Sequence, residues 1–152
     1  METIEKNAEV LNDLIRINND RIKGYERAVG ETAEGDADLR DLFIELANES
    51  KACIAELREQ VQRAGEEPAE STTASGKIYR VWMDLKAVIT GHDRKAILSS
   101  CEFGEDAAQK AYKTALEEED LTGELRSLIT EQKNKLKRSH DKVKKIRDEQ
   151  SA

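Results

Sequence analysis

Apolar residues recur along this chain at alternating steps of three and four, the spacing that aligns side chains on one face of an α-helix. A first stretch, from about Ile4 to Val29, places Leu11, Ile15, Ile22, Tyr25 and Val29 on one stripe. A second, from about Asp38 to Ala64, carries Leu39, Leu42, Phe43, Leu46, Cys53, Ile54, Leu57 and Val61. A third, from about Asp93 to Glu118, runs through Ile97, Leu98, Cys101, Ala108, Tyr112, Ala115 and Leu116. The fourth, from about Gly123 to Asp148, runs through Leu125, Leu128, Ile129, Leu136, Val143 and Ile146. Each stretch predicts a helix of about 25 residues, about 37 Å at the usual rise. Four amphipathic rods of equal length predict a bundle.

The connections differ in kind. GETAEGD joins the first two rods, with Asp36 or Asp38 as the expected N-cap. Between the second and third rods, GEEPAESTTAS holds the only proline and reads as a loop. It leads into a short helix of about a dozen residues, bracketed by Gly76 and Gly91 and carrying Tyr79, Trp82, Leu85 and Ile89. A loop and helix of this size can span roughly 35–50 Å. That reach fits a crossover joining two parallel rods. Asp93 is the expected N-cap of the third helix, with His92 beside it.

Short motifs repeat across the chain. LRDLF at Leu39–Phe43 matches LRSLI at Leu125–Ile129, and Tyr25-x-x-Ala28-Val29 matches Tyr112-x-x-Ala115-Leu116. On this register Asn18 falls against Glu105. The reading is one domain over 1–152, built from a helical hairpin at about 4–64, a crossover at about 65–92 and a second copy of the hairpin at about 93–148.

The all-α class, the repeated hairpins and the crossover describe the ferritin-like architecture. More closely, the chain resembles a bacterial family of ferritin-like four-helix bundles of unknown function. The residues that carry the resemblance include Leu11-Asn12-Asp13-Leu14, Asp20, Gly24-Tyr25, Leu46-Ala47 and Glu49. Trp82-Met83-Asp84-Leu85-Lys86, Gly91 and Asp93 follow, then Cys101-Glu102-x-Gly104-Glu105-Asp106-x-Ala108, Tyr112, Gln132 and His140-Asp141. The resemblance implies the fold and no particular reaction.

Composition narrows the function classes. The 25 Lys and Arg against 32 Asp and Glu leave a net charge of −7, and charged residues reach 38% while aromatics are 4%. That balance suits helices with solvated faces and disfavours nucleic acid, although lysines crowd the fourth rod. No apolar run has the length of a membrane span, and METIEKNAEV lacks a signal-peptide pattern, so a cytoplasmic protein is expected. Cys53 and Cys101 form no scaffold or metal pair by spacing and are expected to be inert buried thiols.

Polar residues on the inward stripes are the candidates for chemistry. Asn18 interrupts the first stripe; Glu49, Glu102, Glu105, Gln132 and His140 lie on or beside the others. Counting from the turns puts Asn18 level with Glu49, and Glu105 level with the Gln132–Leu136 turn. Ferritin-like di-iron proteins hold metal in such a middle layer, using a Glu from each of two helices and Glu-x-x-His from the other two. This chain has no Glu-x-x-His, so the two-ion site is not encoded. A degenerate site from Glu49, Glu102, Glu105 and His140 is the arrangement that would take iron, manganese or zinc. The competing expectation is a hydrogen-bonded polar layer that fixes helix register.

The leading reading is a non-enzymatic interaction or stress-associated bundle, with no catalytic residues and no cofactor. Its expected partner is a second copy or an unidentified protein. The alternatives are a metal store or oxidoreductase using the degenerate site, and a DNA-binding miniature ferritin.

Overall fold

A computed structural model describes residues 2–32, 34–70 and 94–150. Four helices account for most of them: α1 (Glu2–Glu31), α2 (Ala37–Arg63), α3 (Arg94–Leu116) and α4 (Gly123–Glu149). Their limits fall within about two residues of those expected from periodicity, apart from the frayed ends that any helix assignment leaves open. The short crossover helix with Tyr79, Trp82, Leu85 and Ile89, and the turn with His92 and Asp93, lie outside the described residues.

Side-chain pairings give the helix directions. Asn18 and Arg21 of α1 meet Ser50 and Leu46 of α2, so rising numbers on one helix meet falling numbers on the other. The same inversion relates Asn18 and Arg21 to Tyr112 and Glu105 of α3. It also relates Gln109 and Glu102 of α3 to Lys133 and Arg147 of α4, and Glu49 and Cys53 of α2 to Ser139 and Gln132 of α4. Since α2 and α3 both run antiparallel to α1, they are parallel to one another. The end of α2 and the start of α3 therefore lie at opposite ends of the bundle.

The interior is filled from all four stripes by Leu11, Ile15, Tyr25, Phe43, Leu57, Leu98, Ile129 and Val143, among others. Tyr25 stacks on Phe43 with ring centroids 5.7 Å apart. Burial of this kind, far more than helix propensity, is what holds rods of such charged sequence together. Gly24 and Gly104 are buried in helix interiors.

The helix ends are closed locally. Past the end of α2, the amide of Gly65 donates to the Gln62 carbonyl and that of Glu66 to the Val61 carbonyl. This paired reversal needs a left-handed residue, and Gly65 has φ +76°. The chain then folds against α1, where the Asn12 amide donates to the Glu67 carbonyl and its oxygen accepts from the Ala69 amide. Thr122 caps α4 by accepting from the Leu125 amide, and Arg126 donates to the Leu116 and Glu118 carbonyls at the end of α3. Asp36 does occupy the N-cap position of α2, but its carboxylate makes no capping bond. It pairs with Arg94 at 2.8 Å instead, because Arg94, at the start of α3, lies beside the α1–α2 turn. Arg94 also reaches Asp38 and Gln150, tying one end of the bundle together. Among the described residues no helix is long and apolar enough to cross a membrane.

Candidate functional site

The stripe on α1 passes through Leu11, Ile15, Asn18, Tyr25 and Ala28, and the residue completing its three-four rhythm is Arg21. Arg21 is fully buried, whereas Ile22, assigned to the stripe from the sequence, is half-buried. A buried guanidinium needs its charge balanced and its donors filled. Both conditions are met by residues from α2 and α3. Its Nε donates to Glu105 Oε1 at 2.5 Å and its Nη2 to Glu105 Oε2 at 2.9 Å, a bidentate pair. Nη2 also reaches Glu49 Oε1 at 3.0 Å, while Nη1 donates to the Leu46 carbonyl and the Ser50 hydroxyl. The cation sits 5.2 Å from the centre of the Tyr25 ring. Burial opposes the charge, but the Glu105 carboxylate, its hydrogen bonds and Glu49 outweigh it and hold the guanidinium pKa above its ordinary value.

A second set of bonds extends this layer. Ser50 donates to Asn18 Oδ1, and Asn18 Nδ2 donates to the Leu14 carbonyl and to the Tyr112 hydroxyl at 2.8 Å. The Tyr112 hydroxyl in turn donates to Gln132 Oε1 at 2.8 Å, and Gln132 Nε2 donates to the Cys53 carbonyl and Glu56. Ser139 closes the other side by donating to Glu49 at 2.7 Å. Burial pushes the Tyr25 and Tyr112 hydroxyls well above the usual tyrosine range and the Cys53 thiol up to about 11. Each helix therefore contributes to one hydrogen-bonded slab across the bundle.

A Glu from α2 and a Glu from α3 face this midsection, as two helices supply in ferritin-like di-iron proteins. The remaining donors do not fit two irons. Asn18 stands where the sequence repeat puts Glu105 in the other half, and the space between Glu49 and Glu105 is taken by a permanently charged guanidinium.

The four metal candidates Glu49, Glu102, Glu105 and His140 are not gathered at one point. Glu49 and Glu105 meet at Arg21. Glu102 and His140 meet on the α3–α4 side with Asp106, all three offering ligand atoms within 4.8 Å of one another. The reason is helical geometry: Glu105 follows Glu102 by three residues but turns to α1, while Asp106, four residues on, stays on the α4 side with Glu102. The vertical count also shifts. Gln132 is level with Tyr112, and Glu105 with Ser139, roughly one to two turns from the level expected.

Arg21, Ser50 and Ser139 are not among the residues singled out from the sequence, and Asp106 enters there only within the motif that carries the family resemblance. For Arg21 the signal was present, since the steps from Asn18 to Arg21 to Tyr25 are three and four. For Ser139 and Asp106 only the three-dimensional pairing shows it.

Comparison with known proteins agrees with this architecture. The structure is similar to that of a point mutant of Mycobacterium smegmatis Dps1, with a TM-score of 0.77 and 14% identity, covering 95% of this chain and 97% of that one. At that identity the likeness concerns the fold alone. No curated protein sequence matches the chain. A domain of unknown function, DUF2383, matches residues 6–118. That match spans most of the chain, including α2, α3 and nearly all of α1, and the chain belongs to the DUF2383 family.

Proposed function

We infer that this protein is a non-enzymatic ferritin-like bundle whose interior is held by an internal cation, leaving its surface to act in interaction or stress association. The observation that carries the reading is Arg21. Its guanidinium pairs with both Glu105 and Glu49 at the place where this architecture elsewhere holds metal. A divalent ion there would have to displace a charge that is covalently attached, fully buried and filled on all three nitrogens. Cys53 and Cys101, both buried and not joined in a disulfide, suit the reducing cytoplasm. Exposed Phe103 and Ile44 are apolar points from which a protein contact could be built. The lysine-rich face of α4 carries less free charge than its sequence suggests, since Lys137 pairs with Asp141, and Arg147 with Glu102 and Asp148. With the chain's net charge of −7, nucleic acid is not proposed as a partner.

The test is aerobic oxidation of Fe2+ followed by absorbance, with elemental analysis of protein purified without chelator. The reading expects no oxidation rate above buffer, and a metal content unchanged by Glu105→Gln. Catalysed oxidation, or bound metal that disappears with Glu105→Gln, would support the storage or oxidoreductase alternative instead.

A further inference from the structure

We propose that the α3–α4 groove carries a single divalent transition-metal site, made by Glu102, Asp106 and His140, for an ion such as Zn2+. It is separate from the bundle centre and does not depend on the Arg21 reading. Glu102 and Asp106 stand one turn apart on α3 and project together toward α4, where His140 faces them. One imidazole nitrogen and two carboxylate oxygens form a mixed donor set suited to zinc and its first-row neighbours.

The distances are within reach of a metal. Four ligands at zinc bond lengths stand about 3.3 Å from each other. Here His140 Nε2 lies 2.5 Å from Asp106 Oδ1, and the three donor atoms are within 4.8 Å of one another. Insertion of an ion requires opening one edge and closing the others by about an ångström. Asp106 is exposed and can move; Glu102 and His140 are largely buried and supply the fixed part of the site.

An outer carboxylate aims the imidazole. Asp141 lies 2.9 Å from His140 Nδ1, outside the three-residue cluster. Without an ion, the 2.5 Å contact between Nε2 and Asp106 holds a proton; binding releases that proton to solvent, and with the Nδ1 proton donated to Asp141 the Nε2 lone pair then faces the ion. Metal-bound histidines are commonly fixed by such a partner. Arg147 opposes the ion by pairing with Glu102, yet it can release that carboxylate without being left alone. Its Nε and Nη2 already donate to Asp148 at 3.1 and 2.7 Å. Metal binding is thus an exchange of Arg147 for a divalent ion at Glu102, with the remainder of the guanidinium bonds intact. The ion keeps coordination positions open to water, since Asp106 is at the surface.

Competition between the protein and a chromogenic chelator for Zn2+ tests this, with Co2+ absorption reporting coordination by nitrogen and oxygen. One equivalent is expected for the full chain. His140→Ala and Asp106→Asn each should raise the dissociation constant by more than the tenfold to hundredfold typical of losing an outer partner, and Asp141→Asn by about tenfold. Arg147→Gln should tighten binding, and Glu105→Gln should leave it unchanged. Asp106 is exposed whereas the His140 side chain is mostly covered, so circular dichroism is used to verify that both variants remain folded. Absence of one tight equivalent overturns the proposal, as does equal affinity in His140→Ala and Asp106→Asn. Binding that survives those two changes but vanishes with Glu105→Gln would place the ion in the centre and contradict the Arg21 reading as well.

Discussion

Arg21 and Glu105, on helices α1 and α3, face each other inside the bundle as a two-pronged ion pair, with contacts of 2.5 and 2.9 Å and both side chains essentially without solvent. Geometry of this sort depends on the planar fork of arginine. Arg21→Lys keeps the charge but forfeits the paired bonds and those to Leu46 and Ser50. It should lower stability by about 2 kcal/mol or more, read from urea unfolding with an unchanged m-value.

The Asn18–Tyr112–Gln132 chain makes a second expectation. Tyr112→Phe removes one hydroxyl and leaves the Gln132 carbonyl without its donor and Asn18 Nδ2 without one acceptor. Since the ring itself still fills its space, the loss should be near the cost of stranded polar groups, about 1–3 kcal/mol. Thermal or urea unfolding of this variant checks it.

Arg94 supplies the contrast. It holds Asp36 and Asp38 at the open end of the bundle, and these bonds lower the Asp38 pKa, yet Asp38 is at the surface. Arg94→Ala should cost less than about 1 kcal/mol, and the cost should shrink further in high salt. A comparison of unfolding midpoints at low and high ionic strength shows it.

Alkaline pH should weaken the fold through buried acids that keep their protons. Burial raises the Cys53 pKa to about 11 from 9.0, and raises Tyr25 and Tyr112 above 10.0. The unfolded chain then releases protons that the folded chain retains. The contribution is fully present below about pH 9 and is lost as pH rises through the folded pKa values. Each retained proton tilts the stability profile by about 1.4 kcal/mol per pH unit. Cys53→Ala should flatten the wild-type slope between pH 9 and 11. Consistently, a thiol reagent at pH 8 should modify Cys53 only at the rate of unfolding.

Much of the architecture was legible in the sequence because it rests on periodicity and chain length. The stripe of Leu39, Phe43, Leu46 and Leu57 specified α2, and the Pro68-containing stretch marked where two parallel helices had to be joined. The centre was read in part. Asn18, Glu49, Glu105 and Gln132 were recognised as polar residues on inward faces, and all four lie in the hydrogen-bonded slab. Arg21 was passed over for Ile22, one position away, because a hydrophobic rule assigns an arginine to solvent. Its burial depends on carboxylates nearly 30 and 84 residues further along the chain, which no local pattern can signal. Likewise Glu102 and Glu105 share a helix but serve different neighbours. Their division between α4 and α1 follows from how the helices pack, three residues being short of a full turn.

The claim that an internal cation holds the interior is tested most directly by a double-mutant cycle on Arg21 and Glu105, measured by urea unfolding in buffer containing a chelator. Arg21→Met should cost about 3–5 kcal/mol by stranding the Glu105 and Glu49 carboxylates, Glu105→Leu should cost less because Glu49 still pairs with the guanidinium, and the double variant should be more stable than the sum of the two losses predicts. Two single losses that simply add, with the double variant no better than their sum, would contradict it.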